Sequence, residues 1–351
     1  MSEHGPSVPD LPSAPDLRAD GAFSGGGVKA LAFAGALKAA EEAGYRDWHR
    51  LAGTSAGAIT AMSLAAGHTA DSLAELLFEF DFKTIVDKGD PPRLAQISNL
   101  VSRRALARGE ALREWIRLLL SRAPNQVRTF GDLEGRLTVV ATDLVHKRMV
   151  VFPDDASLYC DPNGRPWDPK AFPIVDAVRI SAGYPFMFPP VELRDAATGQ
   201  AAALVDGGIV SSFPVFVFDH EQGCHPTWAF RLHDEQITRP HAPLRGLRWP
   251  LEMMRAVLDT SMNALDSLEA KTFAERTIAI PTGTIPTLQF DLSDADKREL
   301  WHAGYDAAKA FFVSAPKPRN IYGVSPPLET LPRSTRAAAA RAATITGSSE
   351  R

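Results

Sequence analysis

A serine flanked by glycines is the first feature that could carry chemistry. The segment Gly53-Thr54-Ser55-Ala56-Gly57 fits the pattern G-x-S-x-G and lies between an apolar run and an alanine-rich run. A serine in so tight a turn needs small neighbours, and the helix that follows directs its free N–H groups toward the serine oxygen. The pattern therefore predicts a nucleophile at Ser55. The alternative is a serine that only caps the helix.

Three consecutive glycines, Gly25, Gly26 and Gly27, form a second candidate site. Backbone N–H groups of a glycine-rich turn between a strand and a helix bind anions. With Ala30 the spacing also fits a loose dinucleotide fingerprint, for which Asp47 is the candidate ribose ligand. A third interpretation is a turn that only needs glycine torsions. A nucleophile motif at the next strand-to-helix junction has no place in a dinucleotide fold, so it favours an oxyanion hole here.

An aspartate followed by two glycines forms the third candidate site. Asp206 ends the strand-like run Ala201–Val205 and precedes Gly207 and Gly208. This position leaves the carboxylate at the edge of a sheet, with room for another group beside it. An isolated Asp-Gly-Gly is more often an ordinary turn, and the separation from Ser55 in sequence says nothing about distance in space.

Strand-like and helix-like runs alternate in the segments that must position these residues. Both sides of each strand-like run are apolar, which is typical of strands covered by helices. The pattern predicts an α/β fold with a mostly parallel central sheet sandwiched by helices. The predicted strands are Ala19–Ser24, Trp48–Gly53, Arg136–Thr142, Met149–Phe152, Ala201–Val205, Thr227–Leu232 and Thr277–Ile280. The predicted helices are Lys29–Ala43, Ser55–Ala66, Leu73–Phe80, Arg104–Ser121, Leu251–Leu268 and Ala295–Phe312.

Both ends of the chain differ in composition from its centre. Residues 1–17 are rich in proline and serine, and residues 331–351 carry alanine and arginine without an apolar stripe. The sequence predicts a flexible lead over 1–17, one α/β domain over 18–330 and a disordered tail over 331–351.

Composition excludes several other classes of protein. A net charge of -4 over 351 residues gives no basic surface for nucleic acid. Two cysteines cannot form a disulfide framework, and the scattered histidines fit no metal motif, so we expect neither a metal nor a cofactor. No secretion signal or membrane-spanning run is present. These features predict a soluble cytoplasmic protein, with peripheral membrane contact and signal-less secretion as further alternatives.

The three motifs in order resemble those of the patatin-like phospholipase family. GGGVKA begins at Gly25, GTSAG at Gly53 and DGG at Asp206, and the resemblance spans roughly Ala19 to Pro214. It implies a three-layer α/β/α fold and a Ser–Asp dyad that needs no histidine, similar to that of cytosolic phospholipase A2.

The resemblance assigns a role to each candidate residue. It implies that Ser55 is the nucleophile, that Asp206 is the base, and that the amides of Gly25, Gly26 and Gly27 form the oxyanion hole. The sequence departs from the family at two places. Ala30 replaces a common glycine, and serines stand at 211 and 212 where asparagine is usual, so the hydrogen bonds that support the site differ.

The substrate implied by the resemblance is an acyl lipid, a phospholipid or lysophospholipid, met at a membrane surface. Two apolar stretches, Phe186–Pro190 and Phe213–Phe218, flank Asp206 and could line an acyl channel. Packing in the core is the more common role for such stretches.

Three other classes compete with this interpretation. A histidine-dependent α/β-hydrolase would use a histidine after Asp206, and the candidates are His220, His225, His233, His241 and His302. A serine acyltransferase would place a histidine before the nucleophile, where Thr54 stands. A dinucleotide or lipid binding module without catalysis is the third class. The oligomeric state is not encoded in any motif.

Overall fold

A mixed eight-stranded sheet forms the centre of the molecule. The structure is a computed structural model that describes residues 17–86, 105–218, 225–233, 260 and 273–314. Its strands are β1 (Leu17–Phe23), β2 (Tyr45–Thr54), β3 (Leu137–Asp143), β4 (Arg148–Phe152), β5 (Val191–Arg194), β6 (Ala201–Asp206), β7 (Thr227–His233) and β8 (Thr277–Pro281).

Helices connect and cover these strands. The α-helices are α1 (Ala30–Glu42), α2 (Ala56–Ala65), α3 (Ala70–Glu79), α4 (Glu110–Ser121), α5 (Ile174–Ser181) and α6 (Asp294–Ser314). Short 3₁₀ segments add Phe82–Ile85 beside α3 and Pro214–Phe218 after β6. The α/β class and the alternation predicted from the sequence are confirmed.

The sheet combines a parallel half with an antiparallel half. The strand order is β5-β6-β3-β2-β1-β7-β8, and β4 also pairs with β3. The pairs that join β3, β2, β1, β7 and β8 are all parallel. β4 and β6 each run antiparallel to β3, and β5 runs antiparallel to β6. The predicted ribbon of β3 and β4 is present.

Strands β2 and β6 meet end to end along one edge of β3. Residues Leu137–Val140 of β3 pair with β2, and residues Ala141–Asp143 pair with β6. Because β4 pairs with Val139–Asp143 from the other edge, β2 and β6 must share the remaining edge. The last residues of β2 and β6 therefore pair with adjacent residues of β3: Thr54 with Val140 and Asp206 with Ala141.

The two faces of the sheet bury separate groups of side chains. Along β1, Phe23 belongs to the large cluster under the helices, and its neighbour Ala22 belongs to a smaller cluster on the opposite face. This alternation is the period of two expected of a strand. The second face is covered by side chains of Pro214–Phe218 and by Phe273, which completes a three-layer α/β arrangement.

Several predicted elements have different bounds. The predicted helix over 104–121 begins only at Glu110, because Gly109 before it has a left-handed φ of 84°. Strand β5 and helix α5 were not predicted. β5 has no buried residue to form an apolar pattern, and α5 is rich in isoleucine and valine, which favour strands over helices. The predicted helix over 251–268 lies outside the described residues apart from helical Thr260.

The ends of the domain are described only in part. Leu17, predicted to belong to the flexible lead, is the first residue of β1. Residues 1–16 and the predicted tail over 331–351 lie outside the described residues, so the predicted domain bounds stay predictions. No helix in the described part of the chain is long and apolar enough to span a bilayer.

Candidate active site

Ser55 occupies a strained turn between β2 and α2. Its φ of 54° and ψ of -120° lie in a region that residues other than glycine rarely adopt. A Cβ at Gly53 would collide with the backbone of Gly57, and a Cβ at Gly57 would collide with the carbonyl of Phe23. Glycine is therefore required on both sides of Ser55, as the sequence pattern predicted.

The hydroxyl of Ser55 does not cap helix α2, which was the alternative interpretation of this serine. Ser55 precedes α2, yet its side chain makes no capping hydrogen bond to the described helix. Its side chain borders the pocket described below and is 8% exposed. The turn thus presents a hydroxyl to a cavity at the positive end of a helix dipole.

A second serine, Ser181, holds the turn in place. The amide of Ser55 donates to Ser181 Oγ over 2.9 Å. Ser181 Oγ in turn donates to the carbonyl of Val140 on β3 over 2.6 Å. Ser181 is fully buried at the end of α5, so this relay connects the strained turn to the sheet. We did not predict this residue, and because helix α5 was not predicted either, nothing in the sequence indicated that Ser181 would be buried beside Ser55.

Asp206 lies at the end of β6, opposite the end of β2. Its Oδ1 accepts a hydrogen bond from Gly208 N over 2.9 Å, and its backbone carbonyl accepts one from Thr142 Oγ1 over 2.9 Å. The other carboxylate oxygen, Oδ2, is buried and has no hydrogen-bond partner of normal geometry in the described part of the chain. A buried carboxylate oxygen left without a donor is uncommon and marks a candidate for proton transfer.

The two residues are brought together by the shared edge of β3. Thr54 pairs with Val140, and Asp206 pairs with the next residue, Ala141. Gly207 permits this approach, because a Cβ there would collide with the carbonyl of Val140. The side chain of Ser55 is close enough to Asp206 to lower the pKa of its carboxyl.

The environment of Asp206 makes its carboxyl unusually basic. Burial raises the pKa of Asp206 from 3.8 to about 7, and the hydrogen bond from Gly208 and the nearby hydroxyl of Ser55 lower it only in part. Removal from water disfavours the charged form of a carboxyl. A base whose pKa is near neutrality is well matched to removing a proton from an alcohol.

Two amides of the glycine loop have no backbone partner in the described part of the chain. The amide of Gly25 donates to the carbonyl of Ser212 over 2.8 Å, so it is already engaged. The amides of Gly26 and Gly27 donate to no carbonyl in the described residues, and both glycines line the pocket beside Ser55. The loop predicted as an oxyanion hole thus lies next to Ser55, with Gly25 serving as the tether of the loop.

Ser212 therefore has a structural role at a position where the sequence departs from the family pattern. Its carbonyl holds Gly25, and the neighbouring Ser211 carbonyl accepts a hydrogen bond from Thr54 Oγ1 over 3.1 Å. Both contacts use backbone carbonyls of the serines. The segment after Asp206 therefore ties the glycine loop to the turn that carries Ser55.

An apolar pocket of about 620 Å³, including the open space at its mouth, begins at Ser55. Its walls come from the helical layer and include Phe82, Trp115 and Phe188. Trp115 stacks on Phe80 with ring centroids 4.6 Å apart and touches Phe82 edge-on. Such a cavity accommodates a hydrocarbon chain more readily than a polar ligand.

The two apolar stretches near Asp206 have different locations. Phe188 of the first stretch lines the pocket, in line with an acyl channel. Phe213, Phe216 and Phe218 of the second stretch pack on the opposite face of the sheet. The second stretch is therefore a core segment.

The described residues that the competing interpretations require lie away from Ser55 and Asp206. Among the described histidines, His225, His233 and His302 neither hydrogen-bond to Ser55 or Asp206 nor line the pocket. His220 and His241 lie outside the described residues. Asp47, the candidate ribose ligand, pairs with Arg18 over 2.6 Å near the beginning of β2, at the end of the sheet remote from the glycine loop. The described residues contain no group of three acidic, histidine or cysteine side chains that could hold a metal.

Comparison with known protein families supports the resemblance that the three motifs indicated. The model of the patatin-like phospholipase family matches residues 21–219, which include the glycine loop, Ser55 and Asp206. The chain belongs to the patatin-like phospholipase family. Membership places this patatin-like chain among the lipid hydrolases.

Relatives of the patatin-like chain come from distant organisms. It is 35% identical to the uncharacterized protein YqhO of Bacillus subtilis over 297 residues, 83% of this chain and 97% of that protein. It is 29% identical over 198 residues to a cUMP-AMP-activated phospholipase of Escherichia coli, covering 55% of each chain. VipD from Legionella pneumophila shares the fold with a TM-score of 0.52 at 16% identity, over 95% of this chain and 76% of VipD.

Proposed function

We propose that the protein hydrolyses carboxylic esters of lipids through a Ser55–Asp206 dyad and an acyl-enzyme intermediate. The observation that carries this proposal is the buried Oδ2 of Asp206, which lacks a normal hydrogen-bond partner and lies beside a strained serine at the base of an apolar pocket. Such a carboxylate has a proton affinity high enough to activate a neighbouring hydroxyl.

The first half of the reaction acylates Ser55. Asp206 accepts the hydroxyl proton while Ser55 Oγ forms a bond to the ester carbonyl carbon. The tetrahedral intermediate then collapses, and its bond to the alcohol breaks as Asp206 returns the proton to the departing oxygen. In the second half Asp206 takes a proton from water, the hydroxide displaces the acyl group, and the proton returns to Ser55.

The amides of Gly26 and Gly27 stabilise the charge that develops on the carbonyl oxygen. Within the described residues, neither N–H group donates to a carbonyl, and both glycines line the pocket beside Ser55. Donors fixed in position by the backbone need no reorganisation during the reaction. The oxyanion hole then consists of two glycine amides, and Gly25 holds the loop through Ser212.

The pocket favours a substrate with an acyl chain bound beside Ser55. Its lining is almost entirely apolar, and the relative described as a phospholipase supports a phospholipid or lysophospholipid as the natural substrate. We propose that the enzyme meets this lipid at a membrane surface and works without a metal or cofactor.

The test is ester hydrolysis followed by a lipid panel. Purified protein is assayed with a medium-chain nitrophenyl ester, and then with phosphatidylcholine, phosphatidylglycerol and lysophosphatidylcholine, by measuring released fatty acid. A fluorophosphonate probe should modify Ser55, as read by mass spectrometry of the peptide. Release of no acid from any of these substrates, together with an unmodified Ser55, would refute the proposal.

The pH dependence of the reaction should follow the ionisation of Asp206. The base is active only when deprotonated, and its pKa is raised to about 7. We expect kcat/KM to rise about tenfold per pH unit below neutrality and to level off above pH 8. The released acid should be measured by chromatography, because the colour of nitrophenol itself changes with pH. A profile already flat from pH 5 would contradict Asp206 as the base.

Substitution Ser181→Ala should lower kcat by about tenfold with little change in KM. It removes the acceptor of the Ser55 amide, so the nucleophile is less well positioned although the pocket is intact. Ser63→Ala is a matched control, since Ser63 is equally buried and only bonds to the carbonyl of Ile59 within α2. Equal losses of kcat in the two variants would mean that Ser181 only supports folding.

A further inference from the structure

Two large apolar side chains protrude side by side from the turn between β3 and β4. Leu144 is 43% exposed and Val145 is 48% exposed. Exposed apolar residues that occur singly are ordinary on protein surfaces. An adjacent pair at the tip of a hairpin is less ordinary, because turns are usually built from polar residues and glycine.

Buried polar contacts fix this turn in its outward orientation. Asp143 is fully buried, and its Oδ1 accepts hydrogen bonds from the amides of Val145 and His146 over 3.1 and 3.2 Å. Its Oδ2 accepts from the hydroxyl of buried Tyr159 over 3.0 Å and contacts His146 Nδ1 at 2.8 Å. The backbone is thus held so that Leu144 and Val145 cannot fold back onto the protein without breaking these bonds.

A neighbouring hairpin braces the same turn. The amide of Leu144 donates to the carbonyl of Ala203 on β6 over 3.0 Å. Arg148, which follows the turn, pairs with Asp195 beyond the end of β5 over 3.0 Å. The turn is therefore held in place by contacts with the hairpin of β5 and β6.

The turn lies at the same end of the sheet as Ser55, beyond the carboxyl ends of the parallel strands. Strands β2 and β3 are parallel, and Thr54 pairs with Val140. Asp143 is three residues further along β3, which places the beginning of the turn roughly 10 Å beyond the level of Ser55. A membrane surface that contacts the turn would therefore face the end of the sheet where Ser55 lies.

The charge of the tip suits a phospholipid surface. Lys147 is exposed within the turn, next to the apolar pair, and its backbone is left-handed with a φ of 51°. Leucine and valine side chains enter the boundary between headgroups and acyl chains, while an adjacent lysine can reach the phosphates. A tip that bound a free phosphate alone would have no use for the apolar pair.

We propose that Leu144, Val145 and Lys147 form a rigid docking tip that inserts into the surface of a phospholipid bilayer and orients the Ser55 edge toward its substrate. This rests on the proposed lipid hydrolase function and adds the surface through which the enzyme meets its lipid.

The test compares vesicle binding with catalysis on a soluble ester. Flotation uses the inactive Ser55→Ala protein with vesicles of phosphatidylcholine, alone or mixed with phosphatidylglycerol. Adding Leu144→Ser and Val145→Ser should weaken binding by about tenfold or more, since two apolar contacts are lost. Lys147→Glu should weaken binding more on the mixed vesicles than on pure phosphatidylcholine.

A matched control and a second readout separate docking from folding. Val313→Ser removes an apolar residue that is 81% exposed near the end of α6, next to Phe312, which packs on Tyr45 at the beginning of β2. It should leave vesicle binding unchanged. With an active Ser55, the Leu144→Ser and Val145→Ser protein should keep hydrolysis of a soluble nitrophenyl ester within twofold and lose hydrolysis of vesicle phospholipid.

Several outcomes would overturn the docking tip. They are vesicle binding that the paired substitution does not change, an equal loss of soluble ester hydrolysis, or a wild type that binds neither type of vesicle. A change in oligomeric state on gel filtration after the substitution would instead assign the tip to a contact between protein chains. Because flotation needs no catalysis, failure of the proposed function and failure of the docking tip are scored separately.

Discussion

Substitution Ser55→Ala or Asp206→Asn is expected to reduce ester hydrolysis by roughly 10⁴- to 10⁶-fold. Alanine removes the oxygen that forms the acyl-enzyme. Asparagine preserves the shape of the side chain and can still accept from Gly208 N, but it cannot take up the proton of Ser55. The measurement is kcat/KM for a nitrophenyl ester with wild type and both variants side by side. If the two residues act as one unit, the double variant should be no slower than either single variant.

The stability of the Asp206→Asn protein provides a control on folding. The folded-state pKa of Asp206, about 7, lies above its ordinary value of 3.8, so the folded protein favours the protonated form. The stabilising contribution of that form is complete below about pH 4 and is lost as the pH rises through 7. Asparagine stays neutral, so the Tm of the variant should equal or exceed that of wild type at pH 8.

One outcome would favour a histidine triad over the dyad. Activity lost with Ser55→Ala but kept with Asp206→Asn would mean that another group is the base. The next variants would then be His225→Ala and His233→Ala, neither of which is expected to lose activity if the dyad is correct.

The glycine loop should also be sensitive to substitution, although less so than the dyad. Gly27→Ala is expected to lower kcat by roughly 10²- to 10³-fold, the usual cost of losing a donor from an oxyanion hole. Gly27 has a φ of 59°, and a Cβ there would collide with the backbone carbonyl of Thr287, so the loop must shift. Gly26→Ala should have a smaller effect, because its Cβ would meet the side chain of Leu232 and not a backbone atom, and that side chain can move.

Gly135→Ala is the matched control for this experiment. Gly135 also has a positive φ, 81°, but a Cβ there would meet nothing within 4 Å. The backbone strain of an alanine is therefore similar at both positions, whereas only Gly27 borders the pocket. We expect Gly135→Ala to lower the Tm without lowering kcat. Equal kcat losses at the two positions would remove the glycine loop from the mechanism.

Local chemistry made much of this protein predictable from its sequence. The G-x-S-x-G pattern predicted a tight turn at Ser55, because glycine is the residue that tolerates such close backbone approaches. The alternation of apolar strands and helices predicted the α/β class, because each strand and each helix is indicated by a pattern only a few residues long. The elements β5 and α5 were missed, because β5 has no buried apolar residue and half of the residues of α5 are β-branched, which is more typical of a strand.

The arrangement of the site depends on contacts between segments that are distant in sequence. In the sequence, Asp206 lies 151 residues after Ser55, about half the length of the predicted domain. Only the end-to-end meeting of β2 and β6 on one edge of β3 makes them neighbours. The sequence identified three glycines as oxyanion donors, but the Ser212 carbonyl engages one of their amides. Ser181 and the basicity of Asp206 likewise depend on burial among residues distant in sequence. By itself the sequence determined which residues could do chemistry. Only the tertiary structure decided which of them meet and how far water is excluded, because both depend on contacts between distant segments.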